Sequence, residues 1–198
     1  MLLRITRDDG KGLQFRESAN STAGAGAVRR KRRNCCSKPH VRANGDGGHP
    51  VALIADSGAL YALYDRADAH HPAVNEAVAE ETGPIILPSA ILAEIDYLLR
   101  VRLGLAAELA LLKGIATGSL TVEPFRLEDA NRCQRLLKQY ADLDLGLADA
   151  AVIATADRLG VRRILTVDER DFRAVRTSQG EPFVLLPADR PQARRRRR

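Results

Sequence analysis

The sequence predicts an α/β fold of three layers, with helices on both sides of a central, mostly parallel sheet of four to five strands. Three observations carry this. From residue 51 to about residue 187, short apolar runs alternate with longer segments of helical period, and strands alternating with helices form a parallel sheet covered on both faces. The first run, Val51-Ala-Leu-Ile-Ala55, is apolar throughout rather than alternating, the pattern of a strand buried on both sides. Two of the runs are followed by an aspartate, Asp56 and Asp168, and folds of this kind keep their reactive crevice beyond the carboxyl ends of the strands.

In chain order, Val51–Ala55 is the first strand. Gly58 to Tyr64 reads as a short helix, and Pro72 to Glu81 as another, closed by Gly83-Pro84. Pro84-Ile-Ile-Leu-Pro88 is the second strand. Ser89 is placed to cap a helix from Ala90 to about Leu103, stopped by Gly104. Leu105 to Ala116 is its antiparallel partner, ended by Gly118. Leu120–Glu123 is a third strand, and Leu127–Tyr140 and Leu147–Leu159 are helices, the latter stopped by Gly160. Val161–Val167 contains a fourth strand, and Pro182–Leu186 a fifth.

Charge is segregated along the chain. The net charge is +6 over 198 residues, yet residues 51–189 carry 14 Lys/Arg against 21 Asp/Glu. The excess of positive charge sits at the ends: residues 1–50 hold 11 basic and 4 acidic residues, and residues 190–198 hold 6 Arg and no acid. An acidic body with basic ends is not the composition of a domain that coats nucleic acid. Residues 1–50 contain six Leu, Ile or Val but 7 of the 15 glycines, too little apolar surface to offset the entropy of ordering. They are expected to be a disordered basic extension, either a salt-sensitive RNA-binding arm or a stretch upstream of the natural start. Residues 51–189 are expected to be the folded domain, and residues 190–198 a disordered Arg-rich tail. No apolar run is long enough to span a bilayer, and no apolar leader with a small-residue cleavage site begins the chain. Cys35 and Cys36 are adjacent and Cys133 is isolated, which gives neither a disulfide framework nor zinc spacing. A reducing cytoplasm is the expected compartment.

The chemistry lies in acids. An aspartate after a strand is commonly a helix cap, so neither Asp56 nor Asp168 is specific alone. The helices add to them. Glu94 shares a stripe with Ile91, Leu98 and Val101, and Asp149 shares one with Val152, Ile153 and Ala156, whereas Asp96 points to the opposite side. A carboxylate on a buried face must be paired or bind a metal, and no basic residue shares either stripe. Asp56, Glu94, Asp149 and Asp168 can converge at one end of the sheet. Gathered carboxylates without a counter-cation repel one another and call for a divalent metal. Oxygen ligands without Cys or His point to Mg²⁺ or Mn²⁺, which positions a phosphate and a water for in-line attack.

Four segments make the chain similar to a known family: Ile54-Ala-Asp-Ser-Gly-Ala-Leu60, Ile91-Leu-Ala-Glu-Ile95, Leu147-Ala-Asp-Ala-Ala151 with Ala154-Thr-Ala-Asp-Arg-Leu-Gly160, and Leu165-Thr-Val-Asp-Glu-Arg-Asp-Phe172. Their order and spacing over about residues 51–187 resemble PIN-domain ribonucleases, specifically the VapC-type toxins of bacterial toxin–antitoxin pairs. The resemblance implies a PIN-like fold and Mg²⁺-dependent endonucleolytic cleavage of RNA. It implies Asp56, Glu94, Asp149 and Asp168 as the metal-binding catalytic acids. It also implies a cognate antitoxin that occludes the site, and a homodimer. The Leu- and Ala-rich helix pair around Leu98–Leu112 is the expected dimer surface.

Asp171 competes with Asp168 as the fourth acid, its place before Phe172 suiting a capping or supporting role. Asp144 is a candidate outer ligand or a solvated loop acid. Thr166 and Ser57 have hydroxyls suited to a ligand carboxylate or a metal-bound water, with capping of the first helix the plainer role for Ser57. His70-His71 lacks further ligands, and the scattered Tyr and Phe residues form no stacking platform. Two other functions compete. A phosphotransfer domain needs a fixed lysine or a paired acid beside its aspartyl nucleophile, but Asp56 is followed by Ser57-Gly58 and the sheet domain's lysines are Lys113 and Lys138. A catalytically inactive PIN-like module would lack one or more of the four acids, and all are present.

Overall fold

A computed structural model describes residues 3–7, 13–17, 52–143 and 145–190. Two short strands, β1 (Leu3–Arg7) and β2 (Leu13–Glu17), pair antiparallel with Ile5 opposite Phe15. Both lie within residues 1–50, the segment expected as a basic extension. Leu3 and Ile5, and Leu13 and Phe15, alternate with polar residues, a local strand period that the low overall apolar content hides. The rest of residues 1–50 lies outside the described residues.

The main sheet has five strands, all parallel: β3 (Leu53–Ala55), β4 (Ile85–Pro88), β5 (Leu120–Glu123), β6 (Arg163–Leu165) and β7 (Val184–Leu186), in the order β5-β4-β3-β6-β7. Ile54 pairs with Ile86 on one side and Ile164 on the other. Leu53, Ile54, Ala55, Leu87, Ile164 and Leu165 are buried, as strands covered on both faces must be.

Among the described residues, seven α-helices connect and cover the strands: α1 (Ser57–Tyr64), α2 (His71–Ala79), α3 (Leu92–Arg102), α4 (Leu105–Ala116), α5 (Leu127–Gln139), α6 (Leu147–Leu159) and α7 (Glu169–Ala174). The chain runs outward from β3 through β4 to β5, then returns across the sheet to β6. Right-handed crossovers therefore set α1 to α4 on one face and α5 to α7 on the other. The order reverses beside β3, so the carboxyl ends of β3 and β6 flank the topological switch point.

Local signals explain the boundaries. Asp56 caps α1, and Gly160 ends α6 in the left-handed conformation at φ 65°, where a side chain would be strained. Ser89 does not cap an α-helix. Ser89–Ile91 is a 3₁₀ turn, α3 starts at Leu92, and the Ser89 hydroxyl accepts the Phe125 N–H at 2.8 Å. It thereby ties the ends of β4 and β5 together. Helix α6 is buried through Ala150–Ala156 because it packs against α5, β3 and β4. At its end, Arg158 donates to Glu123 at 2.8 Å and to Asp129 at 2.8 Å, joining α6 to β5 and α5. Arg190, placed in the tail by sequence, is bound to Glu76 and Glu80 of the α2 segment at 2.8 and 2.6 Å. Residues 191–198 lie outside the described residues.

Candidate active site

The acids singled out in the sequence stand at helix starts. Asp56, directly after β3, is the N-cap of α1. Glu94 is in the first turn of α3. Asp149 is the third residue of α6, where its carboxylate accepts the Gly146 N–H at 3.1 Å. Asp168 is the N-cap of α7 and accepts the Arg170 N–H at 3.1 Å. Each carboxylate thus lies at the positive end of a helix, which offsets part of its charge.

Their burial differs from the sequence reading in one respect. Asp56 is buried and Asp149 half-buried, but Glu94 and Asp168 are exposed. Glu94 does not sit on a buried stripe: the stripe α3 buries is Ile91, Ile95 and Leu99, while Val101 is 63% exposed. Helix α3 packs on α1 and α4, which takes the stripe one residue over and turns Glu94 toward α1. There the Ser57 hydroxyl donates to Glu94 Oε1 at 2.7 Å.

Asp56 is the most constrained member. Its Oδ1 accepts the Ser57 N–H at 2.7 Å and its Oδ2 accepts the Thr166 hydroxyl at 3.1 Å. Thr166 in turn accepts the Asp168 N–H at 3.0 Å, so the ends of β3 and β6 are locked across the switch point. Gly58 gives this approach its room, since a Cβ there would meet Val167 at 3.2 Å and Asp56 Oδ2 at 3.5 Å.

The electrostatics show which acids share a field. Burial pushes the Asp56 carboxyl up to about 6, helped by the charges of Asp149 and Glu94 and resisted by its hydrogen bonds to Ser57 and Thr166. Asp149 is raised too, first by burial and then by Asp171, Asp168 and Glu94, against the Gly146 hydrogen bond. The charges of Asp149 and Glu94 thus reach Asp56, and those of Asp168 and Glu94 reach Asp149. Among the described residues, no ion pair reaches Asp56, Glu94, Asp149 or Asp168. Asp171 differs: it is buried, and Arg170 Nε donates to its Oδ1 at 2.9 Å. Asp144 lies outside the described residues.

No three His, Cys, Asp or Glu side chains among the described residues already stand close enough to enclose a metal ion. The donor set nonetheless suits a hard divalent cation: carboxylate oxygens only, with no ion pair to Lys or Arg among the described residues, one of them with its pKa raised by burial first and by its acidic neighbours second. One supporting feature was not readable in the sequence, the burial of Asp171; the Ser57 hydroxyl, a candidate partner for a ligand carboxylate, takes Glu94.

A PIN-domain family model matches residues 53–177, a span that holds all four carboxylates. The chain belongs to the PIN-domain family. Ribonuclease VapC26 of Mycobacterium tuberculosis is 36% identical over 135 residues, covering 68% of this chain and all of that protein. Among solved structures, VapC20 of M. tuberculosis, described as a sarcin-ricin loop cleaving toxin, superposes with a TM-score of 0.57 at 20% identity, covering 62% of this chain and 94% of that one. DNA-bound VapBC of Salmonella typhimurium gives 0.53 at 18% identity over 68% of this chain and 98% of that one. At such identities these structures show the fold of this PIN domain: five parallel strands between two helical layers.

Proposed function

We propose that this PIN-domain protein is a divalent-metal-dependent endoribonuclease and the toxin of a toxin–antitoxin pair. What supports the reading is that Asp56, Glu94, Asp149 and Asp168 stand at the starts of four helices of a PIN fold, Asp56 and Asp168 beside its switch point, with no ion pair to any of them among the described residues. Mycobacterial VapC26, which shares 36% of its residues with this chain, is a ribonuclease by name.

In this reading the four carboxylates hold Mg²⁺, with Mn²⁺ able to replace it. When bound, the cation supplies Lewis-acid polarisation of a phosphate oxygen and a water. The chain's own residues do the rest. Asp56, fixed on both oxygens by the Ser57 N–H and the Thr166 hydroxyl, supplies a carboxylate that cannot rotate away. Its carboxyl near 6 is mostly ionised at neutral pH. Asp149, half-buried, sets the floor of the site, while exposed Glu94 and Asp168 line the side open to a large substrate. Asp171 is paired with Arg170 and still adds its charge to the field at Asp149.

The outer face of α3 and α4 suits a second copy of the chain. Tyr97 is 65% exposed, Val101 63%, Leu105 52% and Leu112 51%, more apolar surface than helices left in water usually show. A cognate antitoxin covering the acidic crevice completes the proposed assembly, in the cytoplasm. No helix among the described residues is long and apolar enough to cross a membrane.

The test is incubation of the purified full chain with total RNA, with Mg²⁺ or with EDTA, and chemical mapping of the cut ends. Attack by water leaves a 5′-phosphate and a 3′-hydroxyl, whereas attack by the ribose 2′-hydroxyl leaves a cyclic phosphate. Cyclic ends, or undiminished cleavage in EDTA, refute the reading.

A further inference from the structure

Ser57 is the first residue of α1, yet its hydroxyl is not used in capping, because Asp56 already holds the N-cap position and accepts the Ser57 N–H. The side chain is 6% exposed. Its single O–H faces two carboxylates: Glu94 Oε1 at 2.7 Å and Asp56 Oδ1 at 3.5 Å. The shorter contact takes the proton. One residue therefore reaches two acids from different helices, giving its backbone donor to Asp56 and its side-chain donor to Glu94.

The two acids need such a clasp unequally. Asp56 is buried and held on both oxygens, so it keeps its place without help from the Ser57 hydroxyl. Glu94 is exposed, and among the described residues its only hydrogen bond is the one from Ser57. A free glutamate on a helix surface samples several rotamers, and a neighbouring carboxylate repels it. Without the hydroxyl, Glu94 swings out toward solvent.

We infer that Ser57 is a positioning residue that holds Glu94 beside Asp56, so that the two carboxylates meet one divalent cation without first having to be gathered. This rests on the metal-dependent reading above. Polar groups that orient metal ligands typically change metal affinity by about 10–100-fold when lost. The effect falls on the affinity for the cation, not on the rate once the site is full.

The experiment is titration of the full-length protein with Mn²⁺ in the absence of RNA, by calorimetry or by the Mn²⁺ electron paramagnetic resonance signal, for wild type, Ser57→Ala and Ser57→Thr. Cleavage is then measured against Mn²⁺ concentration. Ser57→Ala should weaken Mn²⁺ binding about tenfold and raise the Mn²⁺ needed for half-maximal cleavage by the same factor, with the maximal rate within about twofold. Ser57→Thr, which keeps the hydroxyl, should restore binding. A purely structural Ser57 would lower the metal-free melting temperature and leave Mn²⁺ affinity alone. If Ser57→Ala does not fold, Ser57→Cys, similar in size with a weak donor, takes its place in the comparison. Equal affinities for wild type and Ser57→Ala overturn the inference while leaving the nuclease reading intact. A wild-type protein that binds no Mn²⁺ overturns both.

Discussion

Replacing Asp56 with asparagine tests the balance of forces at the site. In the folded protein the carboxyl is raised from 3.8 to about 6, burial first and Asp149 second. A raised carboxyl means that the folded state binds a proton more tightly than the unfolded state. Stability is therefore highest at the acid end of this window and is lost as pH rises from about 4 through about 6. A shift of about two units corresponds to about 3 kcal/mol of folding free energy forgone at neutral pH without metal. Asparagine removes the charge and keeps the cap, since Asn caps as well as Asp. Its amide oxygen can still accept the Ser57 N–H. Its NH₂ can donate to Thr166 Oγ1, whose hydroxyl then turns to the Asp168 carbonyl, already at 3.3 Å. The variant should therefore melt higher than wild type at pH 7.5 in EDTA, by several degrees and at most about 10 °C. The two melting curves should converge near pH 4. Calorimetry in EDTA at half-unit pH steps measures this, and added Mn²⁺ should then stabilise wild type but not the variant. An Asp56→Asn protein less stable than wild type at pH 7.5, or a difference that does not change with pH, refutes the argument that uncompensated charge strains this site.

Other outcomes follow from other parts of the molecule. Glu94→Gln and Asp149→Asn should each lower cleavage by more than about a hundredfold without lowering the metal-free melting temperature; a large loss of apo stability would mark that acid as structural. Arg158→Ala should unfold the α5–α6 face more easily, by about 3 kcal/mol, because it removes the ion pair of Asp129, 1% exposed in its side chain, and leaves Glu123 with Arg126 alone; urea melts read this directly. Leu109→Glu, on the apolar face of α4 and 47% exposed, should convert a dimer to monomer in analytical sedimentation while leaving the monomer's stability nearly unchanged.

The inner strands of the main sheet were legible because β3 and β4 are short apolar runs, and burial on both faces leaves no alternation to misread; β1 and β2, in a segment of low apolar content, were not. Among the candidate acids, buried Asp56 and half-buried Asp149 are residue types out of place, as the sequence suggested, whereas Glu94 and Asp168 are exposed. The setting of the acids was less legible. Helix α3 carries apolar residues on more than one stripe, and steps of three and four fit Ile91–Glu94–Leu98–Val101 as well as Ile91–Ile95–Leu99. Spacing alone cannot say which stripe a neighbouring helix will take. Helix α7 has six residues, too few for a period to show. Ser89 obeys the capping rule in sequence, yet the chain leaves β4 through a 3₁₀ turn that turns its hydroxyl to Phe125. Of the candidate site, the identity of the carboxylates came from sequence; which pairs share a hydrogen bond, and that Asp171 is buried, needed three dimensions.

Because each carboxylate belongs to the start of a different helix, the site is also a clock. The hydroxyl that clamps Asp56 lies 110 residues farther along the chain, and Asp168 follows it. At ordinary rates of protein synthesis that interval lasts on the order of ten seconds. A nascent chain holding only the first three acids has a sheet without β6 and an Asp56 without its second clamp. If the proposed nuclease and antitoxin reading holds, cleavage begins only after nearly the whole domain has emerged, and an antitoxin made alongside has that interval in which to be ready.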